Sequence, residues 1–210
     1  MNKLLLTFGL ALCAMLTQAQ PFEGKITYQN TYKSKVPMFT DAKVAAMMGT
    51  VETYYVKGGD YKAEMNGSLM QYSIYINKDN KLYTKMANSP TIKWEDAAIN
   101  ADSVLRTELH PGVLTILGYK CDELILHCKS GTQTYYYSAK LPVDSKLYVK
   151  HRNSNWYTYL TKANAVPLKI IIDNTRIHIE STATAVEPQK LDAAIFKLPA
   201  KTKVAATQGE

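Results

Sequence analysis

Cysteine is nearly missing from this chain: three in 210 residues, at Cys13, Cys121 and Cys128. That excludes a small fold stapled by several disulfides and a cysteine-rich zinc module. Charged residues make up only 20% against 46% hydrophobic, which excludes a disordered chain and a coiled coil. Past residue 20 no apolar run approaches the eighteen or so residues of a membrane-spanning helix. The sequence also lacks a glycine-rich phosphate loop, a His-Glu-x-x-His and a Gly-x-Ser-x-Gly, so three large enzyme classes have no foothold. No repeat of roughly 20–50 residues and no low-complexity linker divides the chain. One domain is therefore expected.

What is present begins with an address. Met1-Asn2-Lys3 carries one positive charge, Leu4 to Leu16 is uncharged and apolar, and Thr17-Gln18-Ala19 supplies small residues at the positions a signal peptidase inspects. These are the three parts of a secretory signal peptide, too short and wrongly flanked for a membrane anchor. The division expected is a cleaved leader over 1–19 and a single domain over 20–210, periplasmic or secreted and not integral to the membrane. Cys13 sits inside the apolar run behind the bulky Leu12, which argues against lipidation at that position.

The remainder reads as strands. Ile26, Tyr28 and Tyr32 alternate with polar neighbours, as do Tyr61, Ala63 and Met65. Met70, Tyr72, Ile74 and Ile76 share one face, with Gln71, Ser73 and Tyr75 on the other. Ile177, Ile179, Ala183 and Ala185 oppose Arg176, His178, Glu180, Thr182 and Thr184. A period of two repeated this often predicts antiparallel sheet with one dry face. Gly58-Gly59, Asn77 to Asn80, Ser130-Gly131 and Asp173-Asn174 supply the hairpin turns, which gives nine or ten strands in meander order. Thr40 or Asp41 caps a short helix through Met48, ended by Gly49, and Asp102 or Ser103 caps another to about Leu109. Residues 141–165 read as irregular and polar. The class is mainly β, α+β by element count.

Chemistry is thinly signalled. The histidines His110, His127, His151 and His178 are scattered without a second ligand at a usable spacing, and neither a cofactor nor a metal ion is implied. Cys121 and Cys128 lie about 23 Å apart if Tyr119–Cys128 is one strand, and about 10.5 Å apart on a helix, too far for a disulfide either way. They read as buried free thiols. Asp122-Glu123 are adjacent on a strand and point apart, so no carboxylate pair forms, and an enzyme has no positive support. Six methionines lie between Met38 and Met86; they fill gaps in a core or line an adaptable apolar pocket. The formal net charge of +7 is diffuse and lysine-rich, unlike a nucleic-acid interface, and lysines on strands blunt sheet edges.

Three segments carry a resemblance: Ala165-Val166-Pro167-Leu168-Lys169-Ile170-Ile171-Ile172 leading into an alternating strand, Leu191-Asp192-Ala193-Ala194-Ile195-Phe196-Lys197-Leu198-Pro199, and Leu117-Gly118-Tyr119-Lys120-Cys121. Together they resemble exported families of Bacteroidota that are similar to the LolA/LolB lipoprotein-carrier fold, over about residues 113–199. The resemblance implies a curved, open antiparallel sheet, a half-barrel wrapped around short helices, whose concave apolar face holds acyl chains. Carriers of that kind hold a lid with an arginine, and none of Arg106, Arg152 or Arg176 matches it, so lipoprotein transfer is not implied. The function expected is a non-enzymatic binding protein or carrier for a lipid or acyl ligand in the cell envelope. Met47, Met48, Ile74, Ile76, Ile177 and Ile179 are expected to line the groove. The alternative is a structural or interaction module that meets an envelope protein or glycan through its outer face.

Overall fold

The computed structural model describes residues 20–207; the leader predicted over 1–19, and Cys13 with it, lie outside them. Twelve strands form: β1 (Gly24–Ser34), β2 (Val51–Lys57), β3 (Asp60–Met65), β4 (Met70–Ile76), β5 (Lys81–Met86), β6 (Thr91–Asp96), β7 (Val104–Ile116), β8 (Tyr119–Cys128), β9 (Gly131–Pro142), β10 (Ala165–Asn174), β11 (Ile177–Pro188) and β12 (Lys203–Ala206). Two α-helices, α1 (Asp41–Met48) and α2 (Trp156–Ala163), and three short 3-10 turns, Ser145–Tyr148, Asn153–Asn155 and Ala193–Phe196, accompany them.

All twelve strands join one open sheet in the order β12-β6-β5-β4-β3-β2-β1-β11-β10-β9-β8-β7. β1 sits at its middle. One meander runs outward from it through β6, and a second returns from the far edge, β7, to place β11 against the other side of β1. Every pairing is antiparallel except β12 on β6, so the sheet is mixed by one edge strand. The expected hairpins form where the turn residues stand. Gly58, at φ 57°, joins β2 to β3, and Asn80, at φ 50°, precedes β5.

α1 begins and ends as read: the Thr40 hydroxyl accepts from the Lys43 N–H, and Gly49 ends the helix at φ 95°. The second expected helix is absent. Residues from Val104 onward run instead as β7, paired with β8, and a register shift between His110 and Leu114 absorbs Pro111 and Gly112. Proline is tolerated there because β7 is an edge strand. Asp102 caps nothing helical; its carboxylate accepts from the Ser130 N–H and hydroxyl and holds the β8–β9 turn.

The stretch 141–165, read as irregular, contains α2. Its Tyr159, Leu160 and Ala163 are buried against the sheet, and Trp156, Tyr159, Leu160 and Ala163 keep helical i, i+3, i+4, i+7 spacing. Asparagines in left-handed conformation bracket it, Asn155 at φ 62° and Asn164 at φ 46°. Asn155 is itself buried and receives a hydrogen bond from Asn100 Nδ2 at 2.7 Å on Oδ1. α2 and the turn before it roof the inner face of the sheet. The core beneath is aromatic: Tyr135 stacks on Tyr159 at 4.2 Å, and Tyr75 meets His151 at 4.2 Å.

Candidate functional site

Cross-strand register builds the site. Tyr28 of β1 stands opposite Glu52 of β2, Tyr54 opposite Ala63 of β3, Ala63 opposite Ser73 of β4, and Ser181 of β11 opposite Ile170 of β10. These side chains share the inner face, and with Trp156 of α2 as roof they enclose a half-open cavity of about 190 Å³. An apolar cavity of about 150 Å³ suffices to hold a benzene. The rings around it are set at angles to one another. Tyr28 meets Tyr54 at 6.3 Å and 72°, Tyr54 meets Tyr61 at 5.4 Å and 34°, and Tyr61 meets Trp156 at 6.1 Å and 59°.

Two of the phenols are already committed. The Tyr28 hydroxyl donates to the Pro167 carbonyl at 2.6 Å, and the Tyr61 hydroxyl lies 2.8 Å from His151 Nε2. His151 is buried, and loss of hydration lowers its pKa to about 4, so the ring is neutral at physiological pH. The Tyr61 hydroxyl donates to Nε2, which assigns the ring proton to Nδ1. Burial also pushes the Tyr28, Tyr54 and Tyr61 phenols well above their ordinary range.

Glu52 is the exception in this apolar setting. The residue is half-buried and faces the half-open cavity; desolvation raises its pKa from 4.5 to about 7, against a smaller downward pull from the Asn30 amide. Among the described residues no lysine, arginine or second carboxylate lines the cavity. Asn30, two residues along β1 from Tyr28, is 2% exposed, and its Oδ1 has no partner. Trp156 Nε1 is likewise buried without an acceptor. His151 Nδ1, behind Tyr61, is a third such atom; buried polar atoms are paired in the great majority of cases.

The six residues singled out from sequence are not brought together. Ile177 and Ile179 lie on the inner face, Ile179 opposite Tyr32 and Ile172, but further along the strand than the cavity. Ala183 shares that face and is buried. A bulge then skips Thr184, so Ala185 pairs with Thr27 and turns outward. Ile74 and Ile76 lie on the outer face, because their neighbours Ser73 and Tyr75 take the inner one. Ile74 is 1% exposed, buried on the side where the short turn Ala193–Phe196 packs against β3 and β4. The expectation of one groove containing all four isoleucines is therefore corrected: β4 is dry on both faces at its centre, and its isoleucine face is not the inner one. Met47 and Met48 are half-buried on α1, away from the cavity.

The cavity residues that the sequence reading passed over are Glu52, Tyr54, Trp156 and Ser181, with Asn30 next to Glu52. Cys121 and Cys128 are free and buried along β8, as expected. Among the described residues no group of three or more His, Cys, Asp or Glu side chains is arranged to hold a metal ion, and no helix is long and apolar enough to cross a membrane.

No family model matches the chain, and no curated protein sequence does. Solved structures similar to it include two of different kinds. One is PNGF-II, at 15% identity and a TM-score of 0.47, with 89% of this chain and 31% of that chain covered. The other is a LolA superfamily protein from Nitrosomonas europaea, at 10% identity and a TM-score of 0.40, covering 85% of this chain and 91% of that one. This chain thus spans about a third of the length of PNGF-II. Likenesses of this degree do not place it in either group; the open, curved sheet stands on its own strand order.

Proposed function

We propose that the protein is a non-enzymatic binding protein or carrier for a hydrophobic ligand, a lipid or acyl compound, exported to the cell envelope behind the leader 1–19. The observation that supports this reading is the aromatic cavity between the sheet and α2, with room for a compact apolar group or the end of a chain. Small apolar groups gain about 25 cal/mol for each Å² removed from water, so a ligand filling this space binds without a single polar contact. The inner-face residues Ile177 and Ile179 extend the same apolar surface along β11.

A probe titration tests it. Wild-type protein should bind a fluorescent fatty-acid probe saturably and carry apolar material through purification into native mass spectrometry. Ala63→Leu, which fills the cavity from β3, should abolish both while leaving the urea midpoint near wild type. Absence of saturable binding by the wild type would remove the carrier reading. N-terminal sequencing of protein expressed with its leader should find Gln20.

A second reading, an interaction module of the envelope, is favoured by one observation. The edge strand β7 leaves Leu105 at 67% and Leu109 at 56% exposed, with no neighbour on its outer side among the described residues. An envelope protein that pairs with this edge would be detected by cross-linking from Leu105→Cys, and Ala63→Leu would leave that pairing intact.

A further inference from the structure

We infer that the cavity beneath α2 recognises a small organic ammonium, an amine on a compact apolar body, with Glu52 and the Asn30 carbonyl oxygen as its anchors and the Tyr28, Tyr54, Tyr61 and Trp156 rings as its walls. The inference rests on the carrier reading and names the polar end of the ligand.

Counting donors and acceptors leads to this class. The hydroxyls of Tyr28 and Tyr61 are engaged, with Pro167 and His151. The Tyr54, Ser73 and Ser181 hydroxyls at the wall can donate or accept, so the group of fixed polarity there is the Glu52 carboxyl, an acceptor, with the unpartnered Asn30 Oδ1 on the residue beside it. An ammonium supplies three donors and no acceptor, and so satisfies both. Trp156 Nε1, a buried unpartnered donor at the wall, suits an oxygen on the ligand's body. Charge points the same way. A half-buried carboxylate among aromatic rings with no cation beside it is poorly hydrated, and a ligand cation offsets that cost. Aromatic rings set at angles around a cavity attract a cation through their faces. The same carboxylate repels an anionic head, so a fatty acid enters tail first.

The groups facing Glu52 leave it as the one that titrates near neutrality. Tyr28 and Asn30 come from β1, Tyr54 from β2, Tyr61 from β3, Ser73 from β4, Ser181 from β11 and Trp156 from α2. The phenols stay protonated, because burial raises them, and His151 behind Tyr61 stays neutral above about pH 4.

NMR titrations of the mature protein at pH 8 with benzylammonium, benzyl alcohol and phenylacetate are the test. A ligand of this size binds in roughly the millimolar to micromolar range. Benzylammonium should bind at least tenfold more tightly than benzyl alcohol, with shifts at Ala63, Ser73 and Trp156, and phenylacetate should not bind. Glu52→Gln should weaken benzylammonium at least tenfold and leave benzyl alcohol unchanged. In the wild type the benzylammonium affinity should rise about tenfold from pH 6 to pH 8, as the carboxyl with its pKa of about 7 ionises; this arm does not depend on the variant folding. If benzyl alcohol binds as well as benzylammonium, or Glu52→Gln leaves benzylammonium unaffected, the ammonium class is wrong and the apolar carrier stands. If neither ligand binds, both readings fall together.

Discussion

Replacing Glu52 by glutamine should make the protein more stable, and only above pH 4.5. The carboxyl titrates at about 7 in the folded protein against 4.5 when hydrated, and each pH unit of displacement corresponds to about 1.4 kcal/mol. Keeping Glu52 ionised in the fold therefore costs up to about 3 kcal/mol. The sign follows from proton counts. Below pH 4.5 the residue is protonated folded and unfolded, and nothing is lost. As pH rises to 7 the unfolded chain releases its proton first, so the folded state loses stability, and above 7 the full cost is present. Glutamine keeps the shape and the hydrogen bond with Asn30 but cannot ionise. Water in the half-open cavity lowers the magnitude without reversing it.

At about 2–4 °C per kcal/mol for a chain of this size, Glu52→Gln should melt above wild type at pH 8, by at most roughly 6–12 °C, and the two should converge toward pH 4.5. Circular-dichroism melts of both proteins across that range are the assay. The wild-type curve alone would hide the effect, since His151 works in the opposite direction over nearly the same window. Its pKa falls from 6.5 to about 4 on burial, so its contribution is present above 6.5 and is lost as pH falls toward 4. A Glu52→Gln protein no more stable than wild type at pH 8, or a difference that ignores pH, would falsify the claim that this carboxyl is desolvated.

In the Glu52→Gln background the His151 effect should no longer be opposed, and the melting temperature should drop by roughly 6–12 °C between pH 6.5 and pH 4, with the ion-paired Glu23 and Glu180 adding to the loss at the acid end; a flat profile would mean that His151 is hydrated. Cys121 and Cys128 should resist a thiol reagent in the native protein at pH 8, because burial pushes the Cys128 thiol up to about 11 and raises that of Cys121 as well. Both should react after denaturation without reductant, and a single intramolecular disulfide would show that β8 is not continuous. Gly49→Ala should cost about 1–3 kcal/mol in a urea melt. Residue 49 sits at φ 95°, and an added Cβ would lie 2.5 Å from the Gly67 nitrogen; a neutral substitution would place this turn wrongly.

The strands were the legible part, because alternation and turn residues are local. Val51–Lys57, Gly58-Gly59 and the segment from Asp60 read as a hairpin from sequence and form one. Two local signals failed for opposite reasons. Asp102-Ser103 carries a good helix cap, but the residues after it gain a full ladder against β8, and pairing outweighs one cap. Trp156–Ala163 had the helical spacing, but it was hidden among polar residues, and the asparagines that close it belong equally to loops. The position of β11 beside β1 was out of reach, since 139 residues separate even Tyr28 from Pro167, whose carbonyl it binds.

The site was less visible than the fold because it depends on which face of each strand turns inward. On β4 the isoleucines suggested the inner face, yet Tyr61 and Tyr75 stack at 5.3 Å inside and put the isoleucines outside. A chain with fifteen tyrosines can build an aromatic interior, and there isoleucine content no longer tells one face from the other. The signal that could have found the site lies on β2. In Val51-Glu52-Thr53-Tyr54-Tyr55-Val56 the period of two puts Glu52 on the face of Tyr54 and Val56, both buried. A carboxylate in register with a dry face is either an error of alternation or a group kept out of water for use. A solvated Glu52 would show the ordinary carboxylate midpoint when its side-chain carbon is titrated by NMR, and the site would then be an apolar cavity without a polar anchor. A midpoint near 7 would make this one residue, readable from strand alternation, the most specific mark of function in the sequence.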